Sequence, residues 1–179
     1  MTAQRQQRKG DIAVKKCRSR PLLVARWAGL IGLCLAAPAL LAVAAKAAIT
    51  ERIVVNRYSG LAIDGYDPVA YFVDSRPELG REDFEAAEAG AVWRFRNEGN
   101  RASFVAHPEV YGPQFGGYDP TGLARGVTVA GNPMFWLIWD ERLYLFDREE
   151  DRAAFAAGSR LILHDANERW PKLEQDLAE

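Results

Sequence analysis

The sequence predicts an α+β domain, a small antiparallel sheet with short helices packed on it, after an N-terminal apolar helix. Three observations predict it. Ala91, Trp93 and Phe95 point one way and Arg94 and Arg96 the other, the period-two pattern of a half-buried strand. Residues 135–139 and 143–146 are apolar on both faces, which suits central strands, with Asp140-Glu141-Arg142 turning between them. Short segments with helix-start and helix-stop signals lie among these strands, without the regular strand-helix alternation of a parallel sheet.

The N-terminal quarter is set apart by its composition. Residues 1–26 are basic and polar, with eight Lys and Arg against the single Asp11, and residues 27–45 contain no charge. Two small-x-small sites follow, Ala42-Val43-Ala44 and Ala45-Lys46-Ala47. Basic region, apolar region and cleavage-type site in that order describe a secretory signal peptide over residues 1–47. An uncleaved membrane anchor is the rival, because the apolar run would span roughly 28 Å at the rise of an α-helix, close to the hydrocarbon thickness. Pro38 and the many alanines make it a weak span and favour cleavage. The expected location is therefore periplasmic or otherwise exported, with inner-membrane anchoring if the segment stays. Membrane association is expected through this segment alone.

Charge and cysteine usage then narrow the function. Residues 1–47 hold nine of the 23 Lys and Arg and one of the 24 Asp and Glu, so the remainder has 14 against 23, a net charge of −9. Such an acidic body is a poor partner for nucleic acid, whose phosphates supply most protein-binding affinity. Both cysteines, Cys17 and Cys34, fall in the same N-terminal segment. The exported body has no disulfide and no thiolate chemistry.

Residues 48–60 form a lead-in, with Ile53-Val54-Val55 as a short strand or ordered segment. Asp67-Pro68 is a helix-start signal, a carboxylate able to accept an N-terminal amide with proline in the first turn. The element it opens buries Val69, Tyr71 and Phe72. Residues 74–82 are a polar loop, and residues 84–91 form a hairpin that turns at Gly90. Asn97 or Asn100 caps a helix carrying Phe104 and Val105, which His107-Pro108 stops. Gly-Tyr-Asp-Pro recurs at residues 117–120, although four shared residues are no basis for a domain duplication. Glu141 is a poor choice where a tight hairpin wants glycine. Asp147 and Glu150 are spaced as a capping pair for a helix that ends at Gly158. A last helix starts near Ser159 with Ile162, Ala166, Trp170, Leu173 and Leu177 on one stripe, kinked at Pro171. Trp93, Phe95, Phe104, Tyr144 and Trp170 are the expected core.

GYDPVAYF (65–72), WRF (93–95), NRxxF (100–104), PExYxPQxGGY (108–118), WLIWD (136–140), LYL (143–145) and ANERWP (166–171) together resemble the YHS-domain proteins. The resemblance is to their exported bacterial branch, and it makes residues 61–179 a YHS-like domain. The wider group is associated with heavy-metal binding through cysteines. Its usual G-G-Y-C-A reads Gly116-Gly117-Tyr118-Asp119-Pro120 here. A carboxylate is a hard oxygen ligand and a poor replacement for thiolate toward copper(I). No tight soft-metal site is expected in the cysteine-free body.

Candidate ligand-binding residues are Tyr66, Asp67, Tyr118 and Asp119 at the two repeated turns. The remaining donors for a borderline metal are His107 and His164, with Met134, and no ligand spacing links them. No nucleophile elbow, phosphate-cradling loop, zinc-protease motif or dinucleotide fingerprint is present, so no catalytic residue is assigned. The expected function is a non-enzymatic exported binding module for a small molecule or metal. Alternatives are a cell-envelope interaction protein without ligand, and a hydrolase using Asp67 and Asp119 as paired carboxylates.

Overall fold

A hairpin followed by a helix is built twice in this chain. The computed structural model describes residues 51–178, and the expected export segment, residues 1–47, lies outside them. In order the elements are α1 (Ala70–Val73), β1 (Arg81–Glu88), β2 (Ala91–Phe95), α2 (Glu98–Ala106), α3 (Pro108–Tyr111), α4 (Pro120–Ala124), β3 (Asn132–Trp139), β4 (Arg142–Phe146) and α5 (Glu149–Asp176). Short 3-10 turns, Ile63–Gly65 and Gln114–Gly117, precede α1 and α4. The domain is α+β with antiparallel sheets, as the strand and helix signals imply.

The sheet itself differs from expectation. β1 pairs only with β2 and β3 only with β4, giving two two-stranded sheets rather than one. Residues 135–139 and 143–146 are therefore not central strands. Residues 143–146 are all buried because the Gln114–Gly117 turn, α3, α4 and α5 cover them, not because strands flank them. Both hairpins turn on two residues with positive φ, Ala89-Gly90 (51° and 80°) and Asp140-Glu141 (50° and 57°). That is the primed-turn geometry whose twist matches paired strands.

The two halves correspond residue by residue. Arg81 pairs with Phe95 and Asn132 with Phe146, Glu85 with Arg94 and Trp136 with Leu145, so every first-half residue has its counterpart 51 positions on. The register slips at the same place in both, between Arg81 and Glu85 and between Asn132 and Trp136. Gly80 and Gly131 precede the slips, and a Cβ on either would sit about 2.4–2.6 Å from neighbouring atoms, so only glycine fits. Gly80 donates its amide to the carbonyl of Gly65, and Gly131 to that of Gly117, both at 2.9 Å. In α2, Glu98, Arg101, Ala102, Phe104 and Ala106 match Glu149, Arg152, Ala153, Phe155 and Ala157 of α5. The recurrence of Gly-Tyr-Asp-Pro is thus part of an internal duplication, which corrects the sequence expectation. The loop after the first copy is one residue longer (the aspartates are 52 apart, the hairpins 51), and that slip hides the match from a fixed-offset comparison.

Packing repeats as well. Phe104 lies between Trp93 and Phe95, ring centroids 4.9 and 5.2 Å away, and Phe155 between Tyr144 and Phe146 at 5.1 and 5.2 Å. All six are buried. The halves are joined through Tyr71, which donates to the Pro133 carbonyl at 3.0 Å and meets Trp136 edge-on at 5.3 Å.

The helix ends show three further differences from expectation. Asn97 caps α2, accepting from the amide of Asn100 at 2.9 Å. Asp147 and Glu150 do not cap α5: Arg148 holds the capping position without a side-chain bond. The first turn instead carries Glu149, Glu150 and Asp151, which favours the positive end of the helix dipole. Gly158 bends α5 (φ −142°, ψ 30°) rather than ending it, and the helix runs on past Pro171. His107, its counterpart in the first half, has the same φ of −142° and separates α2 from α3. Trp170 is half-buried, not buried, with its ring against Phe115 and Tyr118.

Candidate functional site

The two Tyr-Asp turns are the first place to look, and their carboxylates are already committed. Asp67 is fully buried. Its Oδ1 accepts the Val69 amide at 2.9 Å, and its Oδ2 accepts the Arg96 amide at 2.9 Å and the Asn100 side-chain amide at 2.6 Å. Asp119 is buried in the same way. It accepts the amide and hydroxyl of Thr121, both at 2.7 Å, and the amide of Asp147 at 3.0 Å. Each aspartate therefore opens a short helix and, at the same time, ties that turn to the residue just after its own hairpin. A buried carboxylate is stable only when donors satisfy it, and these are satisfied.

The tyrosines beside them differ. Tyr66 is half-buried on the first-half core. Tyr118 is buried and donates its hydroxyl to the Glu51 carbonyl at 2.6 Å. Burial, with Glu51 nearby, pushes its ionisation above the ordinary tyrosine range. Asp67 and Asp119 share none of these hydrogen-bond partners. The structure gives the four residues to the two turns and does not gather them around one opening.

The histidines are placed apart from the turns. His107 is exposed at the α2–α3 junction, its Nδ1 3.6 Å from a Glu109 carboxylate oxygen. His164 is exposed on α5, where its ligand atom and those of Asp165 and Glu168 lie within 4.8 Å of one another. His107 is not part of that group. One imidazole and two carboxylates form a donor set for a borderline or hard cation, not for copper(I). All three come from one open helix face, with no fourth donor among the described residues.

The cleft that the sequence did not predict lies beside the bend of α5. It measures about 960 Å³ and is walled by Trp139 at the end of β3, by residues 156–161, and by Leu163 and His164. Trp139 is 42% exposed and Leu161 is 68% exposed. The signal for Leu161 was in the sequence: it is an apolar residue off the Ile162, Ala166, Trp170 stripe, so the helix has no inward use for it. Trp139 gave no such signal, because a tryptophan closing an apolar strand looks like core. Among the described residues no helix is long and apolar enough to cross a membrane.

Comparison with protein-family models, with curated proteins and with solved structures found no match to this chain.

Proposed function

We propose that the chain is an exported, non-catalytic binding module of the YHS-like kind whose binding surface is the cleft at the α5 bend. The exposure of Trp139 and Leu161 on one concave apolar surface carries the proposal. Large apolar side chains grouped around a hollow on a folded domain mark a place where something docks. The hydrolase alternative asks Asp67 and Asp119 to exchange protons with a substrate. Both are buried against donors and occupied with holding backbone, which supports a structural role for them.

The purified domain, residues 48–179, distinguishes these readings in an assay against chromogenic esters, phosphoesters and glycosides. No turnover above buffer is expected. Turnover that disappears in Asp67→Asn or Asp119→Asn, with the fold intact by circular dichroism, would replace the binding module with the hydrolase.

A further inference from the structure

The internal duplication supplies a way to ask what fills the cleft, because the first half carries the same cleft. Its walls are the equivalent positions: Glu88 for Trp139, Pro108 for Ser159, Glu109 for Arg160, Gly112 for Leu163 and Pro113 for His164. In the first half the space is only about 200 Å³, against about 960 Å³ in the second. The difference comes from chain that crosses the first-half cleft. Ile53 of the lead-in and Phe115 of the second 3-10 turn both line it, and both pack against buried core aromatics and aliphatics. The lead-in is held there by Val54, which donates its amide to the Gly116 carbonyl at 2.8 Å. No described segment plays this part in the second half, where the cleft is walled only by β3 and α5.

From this comparison we infer that the second-half cleft receives an apolar, basic peptide segment of a partner protein, doing there what Ile53 and Phe115 do in the first half. The inference rests on the binding-module reading and names its occupant. A polypeptide suits the site better than a small molecule, because the opening is shallow and its apolar residues lie at the rim, with Trp139 and Leu161 facing solvent. The basic character follows from charge. Asp140 and Glu141 are exposed at the turn next to Trp139, and Asp165 and Glu168 stand on α5 next to His164. Opposing them are Arg160 and Arg142, and Arg142 is drawn toward the Glu109 carbonyl at 2.6 Å. The surrounding body is itself acidic, so a cationic segment is steered toward the cleft and an anionic one away from it.

The test selects binders to the intact domain, residues 48–179, from a display library of random short peptides and measures the resynthesised peptides by fluorescence anisotropy. Selected peptides are expected to combine large aliphatic or aromatic residues with Lys or Arg, and to weaken as salt is raised. Leu161→Glu should reduce their affinity at least tenfold, while Val105→Glu, an exposed valine of the first half, should leave it unchanged. Leu161 is mostly solvent-facing, so an unaltered melting temperature will confirm that its substitution acts on binding. Peptides that bind but ignore Leu161→Glu would overturn this inference and leave the binding module standing. An empty selection would remove both. Two measurements on the same proteins test other occupants: a dimer in sedimentation that Leu161→Glu dissolves would assign the cleft to a second copy. Binding to phosphatidylcholine vesicles that Leu161→Glu abolishes would assign it to a membrane surface. Either result would overturn the partner-peptide inference.

Discussion

The two halves share a backbone plan but stabilise it with different side chains. In the first, Asn100 reaches Asp67 with its amide, so the helix after the hairpin is pinned to the turn before it. Its counterpart, Asp151, is a carboxylate and has no proton to offer Asp119. It turns instead to arginines, with Arg148 at 2.9 Å and Arg125, at the end of α4, at 3.7 Å. The same join is thus made by a neutral donor in one half and by a partly buried ion pair in the other. What the two halves retain is the set of contacts that position backbone: the aspartate on the amide after the hairpin, the close-packed glycine and the central phenylalanine. What they vary is everything around it, including whether the cleft beside the helix bend is filled.

Three pairs of substitutions can break or sharpen this correspondence. The largest effect is expected at the central phenylalanines. Phe104→Ala and Phe155→Ala each remove a fully buried ring from between two aromatic neighbours and should each cost about 3–5 kcal/mol. Urea denaturation checks this, and a difference between the two of more than about 2 kcal/mol would mean that the halves are alike in shape but not in energy.

The capping aspartates come next. Asp67→Ala strands three donors from three residues, and should cost about 3 kcal/mol or more. Asp119→Ala strands two amides and a hydroxyl, and the Thr121 hydroxyl is free to rotate to another acceptor, so about 2 kcal/mol is expected. The order of the two denaturation midpoints is the readout. Equal midpoints would show that the Asn100 bond contributes nothing.

The smallest effect is at the hairpin tips. Glu141 sits at φ 57°, where its Cβ is crowded, whereas the matching residue in the first half is Gly90. Glu141→Gly should raise stability by about 1 kcal/mol, and Gly90→Glu should lower it by a similar amount. Thermal melts of the two variants should move in opposite directions; movement in the same direction would mean that the tips are not equivalent.

Much of the local structure was fixed by short-range chemistry and could be read from residue order. The half-buried alternation of Ala91, Trp93 and Phe95, the Asn97 cap, the Asp-Pro helix starts and the turn at Gly90 each depend on a few neighbouring residues, and each forms in the structure. The central aromatics were legible for the same reason, since their period follows from the element that carries them. What the sequence left open depends on contacts between residues far apart in the chain. Strands that are apolar on both faces are covered by helices here, and nothing local distinguishes that from being flanked by other strands. Gly158 bends a helix instead of ending it because the continuing turn packs Ile162 and Leu163 against the second-half core. The duplication was concealed by a one-residue difference in a loop, which changes the offset without changing the fold. The carboxylates looked like site residues because a sequence shows an acid and not the amides, 28 and 29 positions away, that it holds. The cleft at Trp139 and Leu161 exists only because the chain crosses one copy of the repeat and leaves the other open, and that is decided by tertiary structure alone.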